Sequence, residues 1–451
     1  MTQVAEDKPA QASHYLRLSE ASTNGGPSWV NDLRRSGIRR FDQIGFPSNR
    51  QEDFRHTNFQ PIARTTFGLA EAVETDEPRE FSFGKDAACE LVFVNGHFSP
   101  QLSKLDRLPR GLTVRSLAEA LETSAAQVKP VLAHHANYEA NPFVALNTGF
   151  IHDGAFVHIA KNTTIDGPIH LLFFSTASGQ PTVSHPRVLV IAEDNAEAQI
   201  VESYVGTSGT YFTNAVTEIL LGNDCRIDHC KLQQESRAAF HVATMEVALG
   251  RATTFVSQAA SIGAKLSRND LNCHMFGEGA YATLNGVVLI KDDQHCDNHT
   301  LLDHAAPNCP SHELYKHVLD GRASGVFRGK ILVRQPAQKT DSKQNSKSLL
   351  LSDDAYMNSQ PALEIYADDV KCTHGSTTGP VDEDMVFYLR TRGVSLEAAR
   401  HLLTYAFAAD VTRRMRVQPV RQRIENFMAA QHGLPQDLRI TDLGAFDDKA
   451  R

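Results

Sequence analysis

The spacing of apolar residues divides the chain into three textures. From residue 28 to about 130, helical patches around Trp29, Leu33 and Ile38 and over residues 116–125 alternate with a strand-like run, Leu91-Val92-Phe93-Val94, that stops on Asn95-Gly96. Between about 150 and 376 hardly any segment keeps a 3.6-residue apolar period, and short β-type runs are broken by Gly, Asp and Asn instead. Beyond 380 the helical period returns. Residues 382–392 end at Gly393, and Ser395 caps a longer helix in which Ala399, Leu402, Leu403, Ala406, Phe407 and Val411 form one i, i+3, i+4 stripe. After Pro419, Val420, Ile424, Phe427 and Met428 make a second stripe. Such stripes either pack on the rest of the chain or dock a partner, and spacing does not decide between the two.

The β region repeats itself. Ala192, Gly222, Gly250 and Gly277 each follow two apolar residues and precede a polar turn, at steps of 30, 28 and 27 residues. The same figure returns at Ser352 and Ala367, now 15 apart. Units of this length cannot bury an apolar face alone and must stack, so a parallel β-helix is expected, with a large β-sandwich as the alternative. The expected organisation is a loose tail at 1–27, a mixed helical domain at 28–145, a β-helix core at 146–380, a helical domain at 381–433 and a polar tail at 434–451.

Composition removes several function classes. The 451 residues carry 45 basic and 53 acidic side chains, a net charge of −8, which provides no positive field for nucleic acid. No window reaches the roughly 20 apolar residues that span a bilayer. The opening MTQVAEDKPAQASHY contains acids and no apolar run, so it reads as neither a secretory signal nor a transit peptide, and a cytoplasmic location is expected. Seven scattered cysteines read as reduced thiols.

The motifs with a mechanical reason for catalysis, a P-loop, a dinucleotide turn, a nucleophile elbow or a His-Glu-x-x-His helix, are missing. A β-helix can host sugar chemistry through paired carboxylates, and Asp292-Asp293 and Asp353-Asp354 raise that reading of an intracellular carbohydrate-active enzyme. Adjacent strand residues point to opposite faces, however, which favours plain turn acids. Cys and His suit iron and its clusters better. Cys225, His229 and Cys230 lack zinc-knuckle spacing and read equally as buried thiols. His295, Cys296, His299, His304, Cys309, His312 and His317 are dense enough to suggest a stand-alone iron-binding scaffold, provided they converge. Cys372 and His374 lie two apart, so an extended stretch over 368–374 aligns them on one face with Asp368. That is a half-site for a second chain to complete, or the polar edge of the last rung.

The wording of the chain adds what spacing lacks. LEIYADDVKCTHG at 363–375 and FYLRTRG at 387–393, with DHAAP at 303–307, Ser311, LYK at 314–316, GVFRGK at 325–330, Gln338, Thr340, Asp341 and Gln344, resemble the SufB/SufD family of iron-sulfur cluster assembly subunits, on its SufD side. Phe46-Pro47, Arg50, Glu52, Arg55 and Thr57 also fit, while Phe54 and His56 stand where the family more often has Trp and Tyr. The resemblance implies a right-handed parallel β-helix with helical flanks and a non-catalytic subunit of the SUF complex. It implies pairing with a SufB-like paralogue through the β-helix ends, a homodimer when alone, and docking of a SufC-type ABC ATPase through the C-terminal helices, with Ala399, Leu402, Leu403 and Phe407 as the expected docking face. His374 matches the interface histidine that works with a cysteine of SufB where the nascent cluster forms, with Cys372 and Asp368 beside it. On this reading the isolated chain holds no tight cofactor, iron or cluster is transient at the SufB interface, and ATP hydrolysis belongs to SufC.

Overall fold

The computed structural model describes residues 14–20, 25–177 and 179–432, so the expected tail at 434–451 lies outside the described residues. Among the described residues two mainly parallel sheets, of twelve and ten strands, face each other, and along the solenoid the chain passes alternately from one to the other. This is a β-solenoid. Strand ends in the twelve-stranded sheet lie in register from Ala192 through Leu221, Leu249, Met275 and His304 to Val333, steps of 29, 28, 26, 29 and 29 residues. The 15-residue spacing has a simple origin. Leu350 closes a strand of the ten-stranded sheet, whereas Ile365, in register with Val333, closes one of the twelve-stranded sheet, so the two figures are opposite corners of one coil.

The corners explain the punctuation. Asn195, Asp224, Ala252, Gly279, Asn308 and Lys339 stack with φ between 54° and 72°, a left-handed conformation that Asn, Asp and Gly tolerate best. Gly250 meets a second demand: a Cβ there would lie 2.5 Å from the carbonyl oxygen of Gly222 in the coil beneath. Between the sheets runs a core that includes Val157, Val190, Ile200, Ile227, Phe255 and Phe327, all buried.

The flanking regions cover the outer faces. Cys89–Val94 joins the ten-stranded sheet beside Thr164–Phe174, and Leu112–Ser116 closes the other sheet antiparallel to Gly154–Ile159. The run that stops on Asn95-Gly96 is therefore a strand of the solenoid ending in a hairpin to His97–Phe98, with both turn residues at positive φ. Helices Ser28–Ile44 and Pro142–Gly149 lie over the twelve-stranded sheet, where Phe143 and Leu146 share a cluster with Phe212, Phe240 and Leu266. Residues 14–20, within the expected loose tail, instead form a helix. Tyr15, 2% exposed, packs edge-on against Phe41, Phe46 and Phe150, an anchorage that a tail rich in Ala and Ser does not advertise. Helices Leu396–Thr412 and Gln418–His432 cover the ten-stranded sheet, packing Ala399, Ala408, Val411 and Ile424 on Val201, Leu232, Val287 and Val318.

Candidate functional site at the open end of the solenoid

Strand Lys371–Gly379 is the last of the ten-stranded sheet. It pairs with Asp341–Leu350 so that Cys372 lies opposite Ser342 and His374 opposite Gln344. Residues in register on parallel strands point the same way. Ser342 and Gln344 are buried in the interior, so Cys372 and His374 also face inward, but among the described residues no further coil covers them. His374 is exposed, and Cys372 is half-buried against the interior core. Burial pushes the Cys372 thiol above its usual range, which the backbone contact to Ser342 partly offsets.

Asp368 does not join them. The strand begins at Lys371, and Asp368 sits on the preceding bend, exposed, where Lys339 N–H donates to the Asp369 carbonyl at 2.7 Å and the Lys339 ammonium pairs with the Asp369 carboxylate. The stacked corner takes these residues out of the extended run, so the face shared by three residues reduces to Cys372 and His374. Beside them the last coil exposes Ile365 and Tyr366, 39% and 64%.

The dense His and Cys region does not converge. His295 and His299 project outward, His295 to the Thr57 hydroxyl at 2.9 Å and His299 to Asp297 at 3.0 Å. Cys296 and His304, on the same strand, are fully buried, and burial drives the Cys296 thiol up to about 11 and His304 down to about 4. The Cys309 thiol points at the carbonyls of Gly277 and Pro307, 3.4 Å from each. His317 is buried in the interior while His312 is half-buried and edge-on to Tyr281. Strand alternation divides the set between two faces, and among the described residues no three His, Cys, Asp or Glu come together as a metal site. Cys225, His229 and Cys230 are likewise separated: His229 bonds Glu202 at 3.1 Å, and Cys230 joins the cluster under the C-terminal helices. The acid pairs are turn residues, Asp292 and Asp293 being tied to Arg237 and Arg322 at 2.7 and 2.8 Å.

The stripe expected to dock an ATPase is turned inward. Ala399 is fully buried, Leu403 and Phe407 pack against the same cluster, and Leu402 is half-buried beside them. Lys316, reaching out of the sheet, fastens the helix through Asp410 at 2.8 Å and the Phe407 carbonyl at 3.0 Å. The free apolar surface lies next door. Met385, Phe387 and Tyr388 on helix Glu383–Thr391 and Leu396 at the next helix start are 43–69% exposed. The FYL segment stands out in the sequence, but the helical period alone does not say which face meets water.

Two family models cover the chain, "SufBD protein N-terminal region" over residues 10–171 and "SUF system FeS cluster assembly, SufBD core domain" over residues 173–407. The chain belongs to the SufBD family of iron-sulfur cluster assembly proteins. A SufBD family protein of Synechocystis is 34% identical over 419 residues, covering 90% of this chain and 91% of the relative. The iron-sulfur cluster assembly protein SufD of Escherichia coli is 26% identical over 429 residues (89% and 96% covered), and that of Bacillus subtilis 23% over 428 (91% and 95%). The seam between the two SufBD models falls at the strand Thr164–Phe174, inside the solenoid rather than between two bodies. Among the described residues no helix is long and apolar enough to cross a membrane.

Proposed function

We propose that this chain is a SufD-type, non-catalytic subunit of a cytoplasmic SUF complex. It pairs with a SufB-like paralogue through the open end of the solenoid and docks a SufC-type ABC ATPase through its C-terminal helices. The observation that carries this reading is the Cys372 and His374 pair, facing the interior column yet uncovered at the last coil. A neutral imidazole and a thiol supply two soft ligands or one ligand and a proton acceptor, and a partner's groups complete the shell. Iron or a nascent cluster is thus cargo held briefly at the interface, and iron entry is assisted from this side. Alone, the same end supports a homodimer. Met385, Phe387, Tyr388 and Leu396 support ATPase docking better than the inward stripe does.

Anaerobic co-purification of the tagged chain with SufB and SufC partners tests the reading. A stable three-component complex is expected, with His374→Ala leaving assembly intact and lowering cluster yield. Normal yield in that variant removes His374 from the mechanism, and a chain that purifies alone and leaves the ATPase rate unchanged overturns the subunit role.

A further inference from the structure

The interior of the solenoid is apolar at Val157, Val190, Ile200 and Ile227, but it also holds polar groups. In the middle coils Glu202, His229 and Lys231 are paired with one another or with the opposite sheet. Near the open end Glu313, His317, Gln344, Ser346 and Ser348 point inward from strands Pro310–Leu319 and Asp341–Leu350, none more than 5% exposed. Gln344 Nε2 donates to Glu313 Oε2 at 2.6 Å. Beyond that contact and the neighbouring Thr300 hydroxyl, protein partners run short: among the described residues Gln344 Oε1, both ring nitrogens of His317 and the hydroxyls of Ser346 and Ser348 have none. Buried polar groups in folded proteins are rarely left unsatisfied, and bound water is the usual partner where side chains fail. The arrangement is specific. A Cβ on Gly329, in the opposite sheet, would fall 2.2 Å from Gln344 Nε2, so a bare backbone there makes room for the amide that holds Glu313.

The groups facing Glu313 are Tyr315 on its own strand, Gln344 on the next and Thr300 from the opposite sheet; His304 lies beside Ser311, held neutral near 4 by burial, and His317 and Cys296 lie further along, beyond Tyr315. None is a cation. Burial pushes the Glu313 carboxyl up to about 7, against the pull of Thr300 and Gln344. Burial also holds the Cys296 thiol near 11, the Tyr315 phenol higher still and His317 near 3, so these stay neutral at physiological pH. Among this set Glu313 alone changes charge near neutrality. Gln344 stands between Glu313 and His374 in register, and two strand spacings make the separation about 10 Å.

We propose that Glu313, with Gln344, Ser346 and the water their free atoms bind, is a proton-exchange site inside the solenoid that serves Cys372 and His374 at the open end. The inference rests on the reading of that end as the assembly site. A proton released there passes along the water to the Glu313 carboxylate, giving the neutral acid, and returns to solvent by the same route; no electron is transferred. Glu313 is a positioning and buffering residue rather than a ligand.

Infrared spectroscopy of the full chain between about pH 5 and 9 tests this directly. A protonated-carboxyl band that disappears near neutrality is expected in the native chain, absent from Glu313→Gln and slower to exchange with deuterium in Ser346→Ala. In the assembled complex, Glu313→Gln should displace the pH profile of cluster formation without changing subunit stoichiometry. No band assignable to Glu313, or one that persists to the alkaline limit, overturns the proposal. A titrating band with an unmoved pH profile overturns the link to the open end. Normal cluster formation by His374→Ala counts instead against the assembly reading, and so separates the two failures.

Discussion

Two strands of the same sheet, one inside the stack and one at its end, carry the lesson of this molecule. On Pro310–Leu319 the inward positions Ser311, Glu313, Tyr315 and His317 are at most 3% exposed. On Lys371–Gly379 the positions in register with them, Cys372, His374, Ser376 and Thr378, are half-buried or exposed. Backbone, direction and side-chain facing are the same. Only the coil above is missing. In a solenoid burial is supplied by the neighbouring repeat, so stopping the repeat converts an interior column into a surface that a second subunit can cover.

The comparison breaks most sharply at the interior. Phe327, fully buried between the sheets, should cost about 3–5 kcal/mol of stability when replaced by alanine. Ser376→Ala in the last coil should stay within about 0.5 kcal/mol. Denaturant melts of the two variants measure the difference, and comparable losses would mean that the end is as tightly packed as the middle.

At the open end the effect should move from stability to function. His374→Ala is expected to leave the melting midpoint near that of the native chain while lowering cluster formation about ten- to a hundredfold, the range seen when a metal's supporting shell is removed. The C-terminal helices offer a parallel contrast. Phe387→Asp, on the exposed patch, should weaken ATPase capture by about 2 kcal/mol and spare the fold, whereas Ala399→Asp should lower stability first, because that side chain lies in the core. Binding measured by calorimetry and unfolding measured by circular dichroism distinguish the two.

A more modest effect than that of Phe327 is a pH dependence on the outer face of the twelve-stranded sheet. Burial works to lower His274, but hydrogen bonds to Asp303 at 2.9 Å and Glu246 at 3.2 Å outweigh it and raise the imidazolium to about 9. A folded-state value above the unfolded 6.5 adds stability fully present below 6.5, and that increment fades as pH rises through 9. With allowance for partial exposure it is on the order of 1–2 kcal/mol. His274→Ala should flatten the stability profile over that window, and an unchanged slope would assign it elsewhere.

Much of this was legible in the linear pattern. The near-30-residue recurrence at Ala192, Gly222, Gly250 and Gly277 marks the corners because one strand, one turn, a second strand and a second turn must fit in each coil. The two-residue spacing of Cys372 and His374 put both on one face of a strand, as alternation requires. Asp368 shares that face only if the extended stretch begins at 368, and the bend at 368–369 breaks the alternation. The condition set on the His295 to Cys309 group, that its members converge, is not met among the described residues, because alternation sends neighbours along a strand to opposite faces.

The sequence by itself thus determined the repeat, the corner chemistry, the helical flanks and the family wording around His374. Only the tertiary structure decided which apolar stripe was already spent, which inward residues were left uncovered, and that Glu313 would meet the uncharged Thr300 and Gln344. Periodicity records which residues share a face of their own element. What that face meets depends on segments far away in sequence: Lys316 and Val318 under the helix at Ala399, Gly329 across from Gln344, and, among the described residues, no coil above His374.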